Sequence, residues 1–152
     1  MTAKEIMQSF CMEAHAENGS FVEKHYKNTE PGRPASGSMY YYVDADEITE
    51  FHKIDCDEYW CYTAGSALDI WLFDENGELT VKKLGIQEGC EPAVYVRKGT
   101  VFASKHPEKC SDGTFLVCIT VPRFDYAGFT LIPKDEMIQK YPQSIEFYDF
   151  SA

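Results

Sequence analysis

The chain has 152 residues, the length of one ordinary domain and enough to bury a substantial core. Its 25 acidic residues against 14 basic ones give a net charge of -11, with no Lys/Arg patch, so phosphate backbones would be repelled and nucleic acid is not an expected partner. The N-terminus lacks a basic segment followed by an apolar run, no apolar stretch of roughly 18 residues occurs, and the 6 cysteines form no CxxC pair; these features predict a cytoplasmic protein with reduced thiols and no membrane partner.

The first predicted element is a short helix over about 2–14. Thr2 and Glu5 have the spacing of a capping box, and Ile6, Phe10 and Ala14 follow at helical intervals. From Ser20 the texture changes to short segments rich in Tyr, Phe, Val, Ile and Thr, separated by turn signals such as "NTEPGRPASG", "DENGE" and "SDG". These predict strands near 20–27, 38–43, 48–53, 58–63, 67–73, 79–84, 93–96, 101–105, 114–121 and 128–132, with 28–37 as a long connection and "DENG" as a hairpin turn. "KDEMIQKY", between Pro133 and Pro142, predicts a second helix over about 134–141. Many short strands at turn spacings of about 8 to 12 residues indicate an all-β sandwich or barrel, here one domain over 1–152 with the barrel at about 20–132.

The chemistry concentrates in "FHKIDCDEYWCYTAG" at 51–65. If 48–53 and 58–63 pair as antiparallel strands through the turn "IDCD", His52 and Glu58 enter one cavity; alternation then puts Glu58, Trp60 and Tyr62 on one face and Tyr59 and Cys61 on the other. A catalytic metal needs three or more ligands, and His52 and Glu58 supply two; Asp55, Cys56, Asp57 or Cys61 would need turn or bulge geometry to supply a third. No cofactor is therefore predicted, although a divalent ion, if held, would take His52 and Glu58. Without a metal, His52 is suited to abstract a proton, with Glu58 orienting it and Tyr40 or Tyr62 as the acid. The alternative is that His52 and Glu58 only satisfy each other inside a closed barrel.

The spacing of His52, Glu58 and Gly65 resembles the first motif of the cupin superfamily, with Ile54 where a second histidine would stand and Asp46 where the leading glycine would stand. The second motif falls on "RKGTVF" at 97–102, where Gly99 matches, Arg97 replaces the proline and Phe102 the ligand histidine. Nearly the whole chain resembles the small cupin family catalogued as domain of unknown function 985, through "HAENGSF" at 15–21, "SGSMYYYV" at 36–43, "HKIDCDEYWCYTAG" at 52–65, "GCEPAVYVRKGTV" at 89–101 and "TVPRFDYAGF" at 120–129. Cys61, Arg97, Val101 and Phe102 depart from that family's pattern, and Ala16, Asn18 and Ser20 dilute its first segment.

The resemblance implies a cupin jelly-roll barrel with a short helix at each end, and a homodimer. It implies a small polar ligand in the barrel, such as a sugar or nucleotide sugar, and by likeness to metal-free cupin sugar epimerases an isomerase or epimerase activity. His52, Glu58 and Tyr62 are then the catalytic candidates, with Tyr40, Trp60, Phe102, His15 and Glu17 in contact with the ligand. A non-catalytic binding or sensing module and a metal-dependent cupin enzyme are the competing readings. "RFDYAGF" is expected to be a packed aromatic turn capped by Asp125, and His25 and His106 to be solvated.

Overall fold

Alternating inward and outward side chains sort the strands into two facing antiparallel sheets in the computed structural model, which describes residues 1–27 and 32–149. A helix α1 (Ala3–Gln8) precedes β1 (Glu13–Ala14), β2 (Ser20–Lys27), β3 (Ser36–Val43), β4 (His52–Lys53), β5 (Asp57–Gly65) and β6 (Leu68–Phe73). There follow β7 (Leu79–Leu84), β8 (Ala93–Val96), β9 (Val101–Lys105), β10 (Thr114–Val121), β11 (Thr130–Leu131), and two helices, α2 (Lys134–Lys140) and α3 (Ile145–Tyr148). One sheet runs β1-β2-β3-β10-β5-β8 and the other β11-β4-β9-β6-β7. This is the expected jelly roll with helices at both ends.

Register explains what faces inward. Cys118 on β10 stands opposite Met39 on β3 and Trp60 on β5, and Trp60 opposite Val94 on β8, so one row of the first sheet is apolar and directed at the second sheet. The second sheet answers with Leu68, Ile70, Phe102 and Leu84. The outer faces are covered in part, with Tyr59, Tyr95, Ile119 and Val81 left exposed. Ile6, Met7 and Phe10 of the N-terminal segment pack on Tyr42 and Phe115, while Met137 and Phe147 of α2 and α3 pack on Phe51, Phe73, Val101 and Ala103. The predicted capping box of α1 is present, and Asp112 adds a carboxylate to the Ala3 and Lys4 amides at 2.8 and 3.2 Å.

Several boundaries differ from the sequence reading. The first helix ends at Gln8 rather than near 14, because Glu13 and Ala14 pair with Phe21 and Ser20 as a strand. The expected strand 48–53 shrinks to His52–Lys53, with Ile48 making one isolated bridge to Lys105. Residues 128–132 begin as a single 3-10 turn over Tyr126–Gly128, leaving Thr130–Leu131 as strand, and α3 was not anticipated. Of the connection at 28–37, residues 28–31 lie outside the described residues, and Ser36 already belongs to β3.

The most consequential difference concerns "IDCD". It is not a hairpin turn: β4 pairs with β9 and β11, and β5 with β8 and β10, so the chain crosses from one sheet to the other. Ile54 and Cys56 are buried in the space between the sheets, which draws the crossing segment into the core. Among the described residues no helix is long and apolar enough to cross a membrane.

Phe51, fully buried against Phe73 and Phe147, anchors the strand that carries His52. Phe51→Ala is expected to lower unfolding stability by about 3–5 kcal/mol, measured by urea denaturation with far-UV circular dichroism.

Candidate functional site

His52 and Glu58 do enter the same interior, but from opposite sheets, and they do not hold each other. His52 Nδ1 donates to the Glu50 carbonyl at 2.8 Å, and Nε2 forms an ion pair with Glu17 Oε2. Glu58 instead accepts from Trp60 Nε1 at 2.7 Å and bonds the Cys118 thiol. The orienting carboxylate for His52 is therefore Glu17, a correction to the role assigned to Glu58.

Local backbone chemistry sets Glu17 in place. The segment 15–19 closes as a tight turn, with the His15 amide donating to the Gly19 carbonyl at 3.0 Å and Asn18 and Gly19 at φ 75° and 76°. A Cβ on Gly19 would stand 2.7 Å from the Tyr41 hydroxyl oxygen, so glycine also allows that ring to approach. The Glu50 amide donates to the Glu17 carbonyl at 2.7 Å, tying the turn to the segment before β4.

Around this pair, His15 offers Nδ1 to the Glu17 amide at 3.3 Å, and the Tyr41 hydroxyl donates to the Asn18 carbonyl at 2.7 Å while lying beside the Glu17 carboxylate. His52 lies between Phe102 and Phe129, with ring centroids 4.2 and 5.4 Å away. Phe124, Tyr126 and Phe129 form a roof over His15, in the segment predicted to be an aromatic turn. Asp125 caps it as expected, accepting from the Ala127 amide at 2.9 Å, and the Phe124 amide donates to Thr120 Oγ1 at 2.9 Å. Arg33 fastens the roof, donating to the Arg123 carbonyl at 2.7 Å and to both oxygens of Asp55 at 2.9 Å.

Relative exposures of 7, 3, 2 and 4% for His15, Glu17, His52 and Glu58 make their electrostatics mutual rather than solvent-dominated. Burial alone would push the Glu17 pKa up, but the charge and hydrogen bond of His52, helped by His15 and Tyr41, hold it below the ordinary value. Burial would likewise depress His52, and the charge and hydrogen bond of Glu17, with the Glu50 carbonyl and Glu58, raise it overall. The pair is thus carboxylate and imidazolium. Burial, opposed by Glu17 and reinforced by His52, lowers His15 and keeps it neutral. Glu58 is pushed up to about 7, first by burial and then by the charge of Glu17, against the pull of His52, Cys118 and Trp60.

The site gathers His15, Glu17, His52, Glu58, Trp60 and Phe102 of the expected residues. Two are elsewhere. Tyr62 donates its hydroxyl to the Gly65 carbonyl at 2.6 Å, beyond the far side of Trp60, and Tyr40 is on the outer face against Phe10 and Phe115. Tyr41, one position along, is the inward tyrosine: Phe21 and Leu116 stand opposite it. His106 is not a solvated surface group either, since its Nε2 lies 3.0 Å from Thr114 Oγ1.

The residues present do not suit a metal ion. Both His52 nitrogens are engaged, Ile54 and Phe102 bring hydrocarbon to the other two ligand positions of the cupin pattern, and among the described residues no group of three or more His, Cys, Asp or Glu side chains is arranged to hold an ion.

The profile of the family described as Cupin superfamily (DUF985) matches residues 4–132. A structurally determined protein from Shewanella oneidensis is similar at 28% identity and a TM-score of 0.86, over 94% of this chain and 92% of that one. A hypothetical protein from Leishmania major aligns at 22% identity and a TM-score of 0.81, over 94% of both chains. An oxalate decarboxylase from Bacillus subtilis shares the fold at 14% identity and a TM-score of 0.61, over 85% of this chain and 34% of that one. No curated protein matches the chain.

The two carboxyl groups have opposite pH signatures. Glu17 contributes stability that is lost as pH falls through its lowered folded value, and His52 contributes stability that is lost as pH rises through its raised one. Glu58 retains a proton in the folded state that the unfolded chain releases between pH 4.5 and about 7, so its contribution falls as pH rises through that window. Glu58→Gln keeps the acceptor for Trp60 and removes this titration. Measured by chemical denaturation at successive pH values, the variant is expected to gain up to about 3 kcal/mol on the unmodified protein between pH 4.5 and 7, with a constant difference above.

Proposed function

The chain belongs to the family described as Cupin superfamily (DUF985), and from that premise we propose that it binds a small polar organic ligand, such as a sugar, at the His15, Glu17 and His52 cluster and moves a proton on it as a metal-independent isomerase or epimerase. The observation that carries this reading is the separation of Glu17 and Glu58 into two electrostatic environments within one interior. A carboxyl near pH 7 can both take and return a proton at neutral pH, while a fixed imidazolium paired with a carboxylate steadies charge that develops on the ligand.

In this reading Glu58 gives and takes the proton. Glu17 holds His52, and the Nδ1 bond to the Glu50 carbonyl fixes the direction of its ring. Tyr41, whose pKa is raised well above the phenol value by burial and then by Glu17, serves as a hydrogen-bonding wall and not as a ready acid. Phe102, Trp60 and the roof supply apolar surface and exclude water.

A non-catalytic binding module is the second reading, and one observation favours it: both nitrogens of His52 are already occupied within the protein. Solvent deuterium exchange separates the two. A thermal-shift screen over hexoses, hexose phosphates and nucleotide sugars, followed by nuclear magnetic resonance of each hit in deuterium oxide, is expected to show deuterium entering a ligand carbon. Glu58→Gln is expected to slow that entry by about 100-fold or more while leaving binding within a few-fold. Tight binding with no entry at any carbon makes the protein a binder.

A further inference from the structure

We infer that the ligand of this site is an uncharged molecule with a carbonyl or hydroxyl oxygen, and that His15 Nε2–H is the donor that holds this oxygen. This inference rests on the proton-transfer reading and narrows its substrate class.

Two independent features carry it. The first is a donor without an acceptor. His15 Nδ1 accepts the Glu17 amide, so the proton of this imidazole is on Nε2, and that atom is buried with no hydrogen-bond partner among the described residues. A buried N–H left unpaired costs free energy that a ligand oxygen would recover. The rings around it are Phe21, Tyr41, Phe124, Tyr126 and Phe129, with centroids 4.8 to 6.0 Å from that of His15. They form a cage suited to the C–H faces of a sugar or another small carbonyl compound.

The second feature is the sign of the charge. The cation held against Glu17 is the His52 imidazolium, and Glu58 accepts instead from the neutral indole of Trp60. The arginines by the roof are committed elsewhere, Arg33 to Asp55 and Arg123 to Glu23. A phosphate or carboxylate on the ligand would meet Glu17 with only one imidazolium to offset it, whereas an uncharged oxygen meets a neutral donor. This selects against phosphorylated and nucleotide sugars.

The same donor suits the chemistry. As a C–H bond beside a carbonyl breaks, its proton passes to the Glu58 carboxylate, its electron pair becomes the new C=C bond, and the carbonyl π pair moves onto the oxygen held by His15. Return of the proton from Glu58 to the same face of that carbon restores the carbonyl with retained configuration, and inversion follows only when the enolate first turns its other face to Glu58. A neutral imidazole is a fitting donor to that oxygen. The crevice lined by Phe21, Glu23, Met39, Cys118, Thr120 and Phe124 has room for about one or two waters and includes none of His15, Glu17, His52 and Glu58 in its wall, so the roof must move aside for a sugar-sized ligand to reach His15.

The test observes the histidine side chains of 15N-labelled full-length protein by two-bond 1H–15N correlation during titration with uncharged aldohexoses and ketohexoses, their 6-phosphates, and UDP-glucose. An uncharged sugar is expected to shift His15 Nε2, with its phosphate binding at least about tenfold more weakly, and His15→Phe, or His15→Gln should the first fold poorly, weakening binding about tenfold. Tighter binding of a phosphate or of UDP-glucose overturns the inference while leaving proton transfer on that ligand open to the deuterium assay. Binding that shifts His52 and leaves His15 Nε2 unmoved, or that survives both variants, also overturns it. No response at either histidine from any probe overturns the inference together with the reading it rests on.

Discussion

The interior of this barrel is organised by one buried ion pair, Glu17 with His52. It joins the turn before β2, in the first sheet, to β4, in the second, so it closes the sandwich at the end where the roof lies. A charge pair buried this deeply gains its attraction against a large desolvation penalty and survives only where further hydrogen bonds hold both partners. Here the Glu50 carbonyl holds His52 and the 15–19 turn holds Glu17, so the geometry of two loops is committed to keeping these charges together. Its influence extends to both neighbours: the charge of Glu17 helps to keep Glu58 protonated, and the imidazolium of His52 helps to keep His15 neutral.

The jelly roll itself was readable, because strand spacing and turn chemistry depend on local residues. Ser20–Lys27, Leu79–Leu84, Ala93–Val96, Val101–Lys105 and Thr114–Val121 stand where alternation and turns put them. Local signals misled where a tertiary pull competed with them. "IDCD" has turn composition, yet Ile54 and Cys56 seek the core and carry the chain across to the other sheet. The run "YYY" at 40–42 gives no alternation to read, since all three residues are aromatic, and the inward position passed to Tyr41.

The partner of His52 is hidden in the sequence for a related reason. Glu58 is near His52 in sequence, while Glu17 is distant along the chain and adjacent in space. A signal for it did exist. "HAENG" puts His15 and Glu17 two apart before an Asn-Gly pair, and such a pair marks a tight turn that can hold both side chains toward one side. The bond between Trp60 and Glu58 had no comparable mark. Two residues on the same face of a strand do not announce that the indole will take the carboxylate away from a histidine.

The roof and the site beneath it answer to different solvent conditions. The fastening pairs, Arg33 with Asp55 and Arg123 with Glu23, are partly open to water and subject to ionic screening, while the four ionisable groups below are not. Raising salt from millimolar to molar concentration therefore weakens the pairs that fasten the cover and leaves the charges of the buried groups as they were. Ionic strength acts on the rim of the barrel, and acidity on its interior.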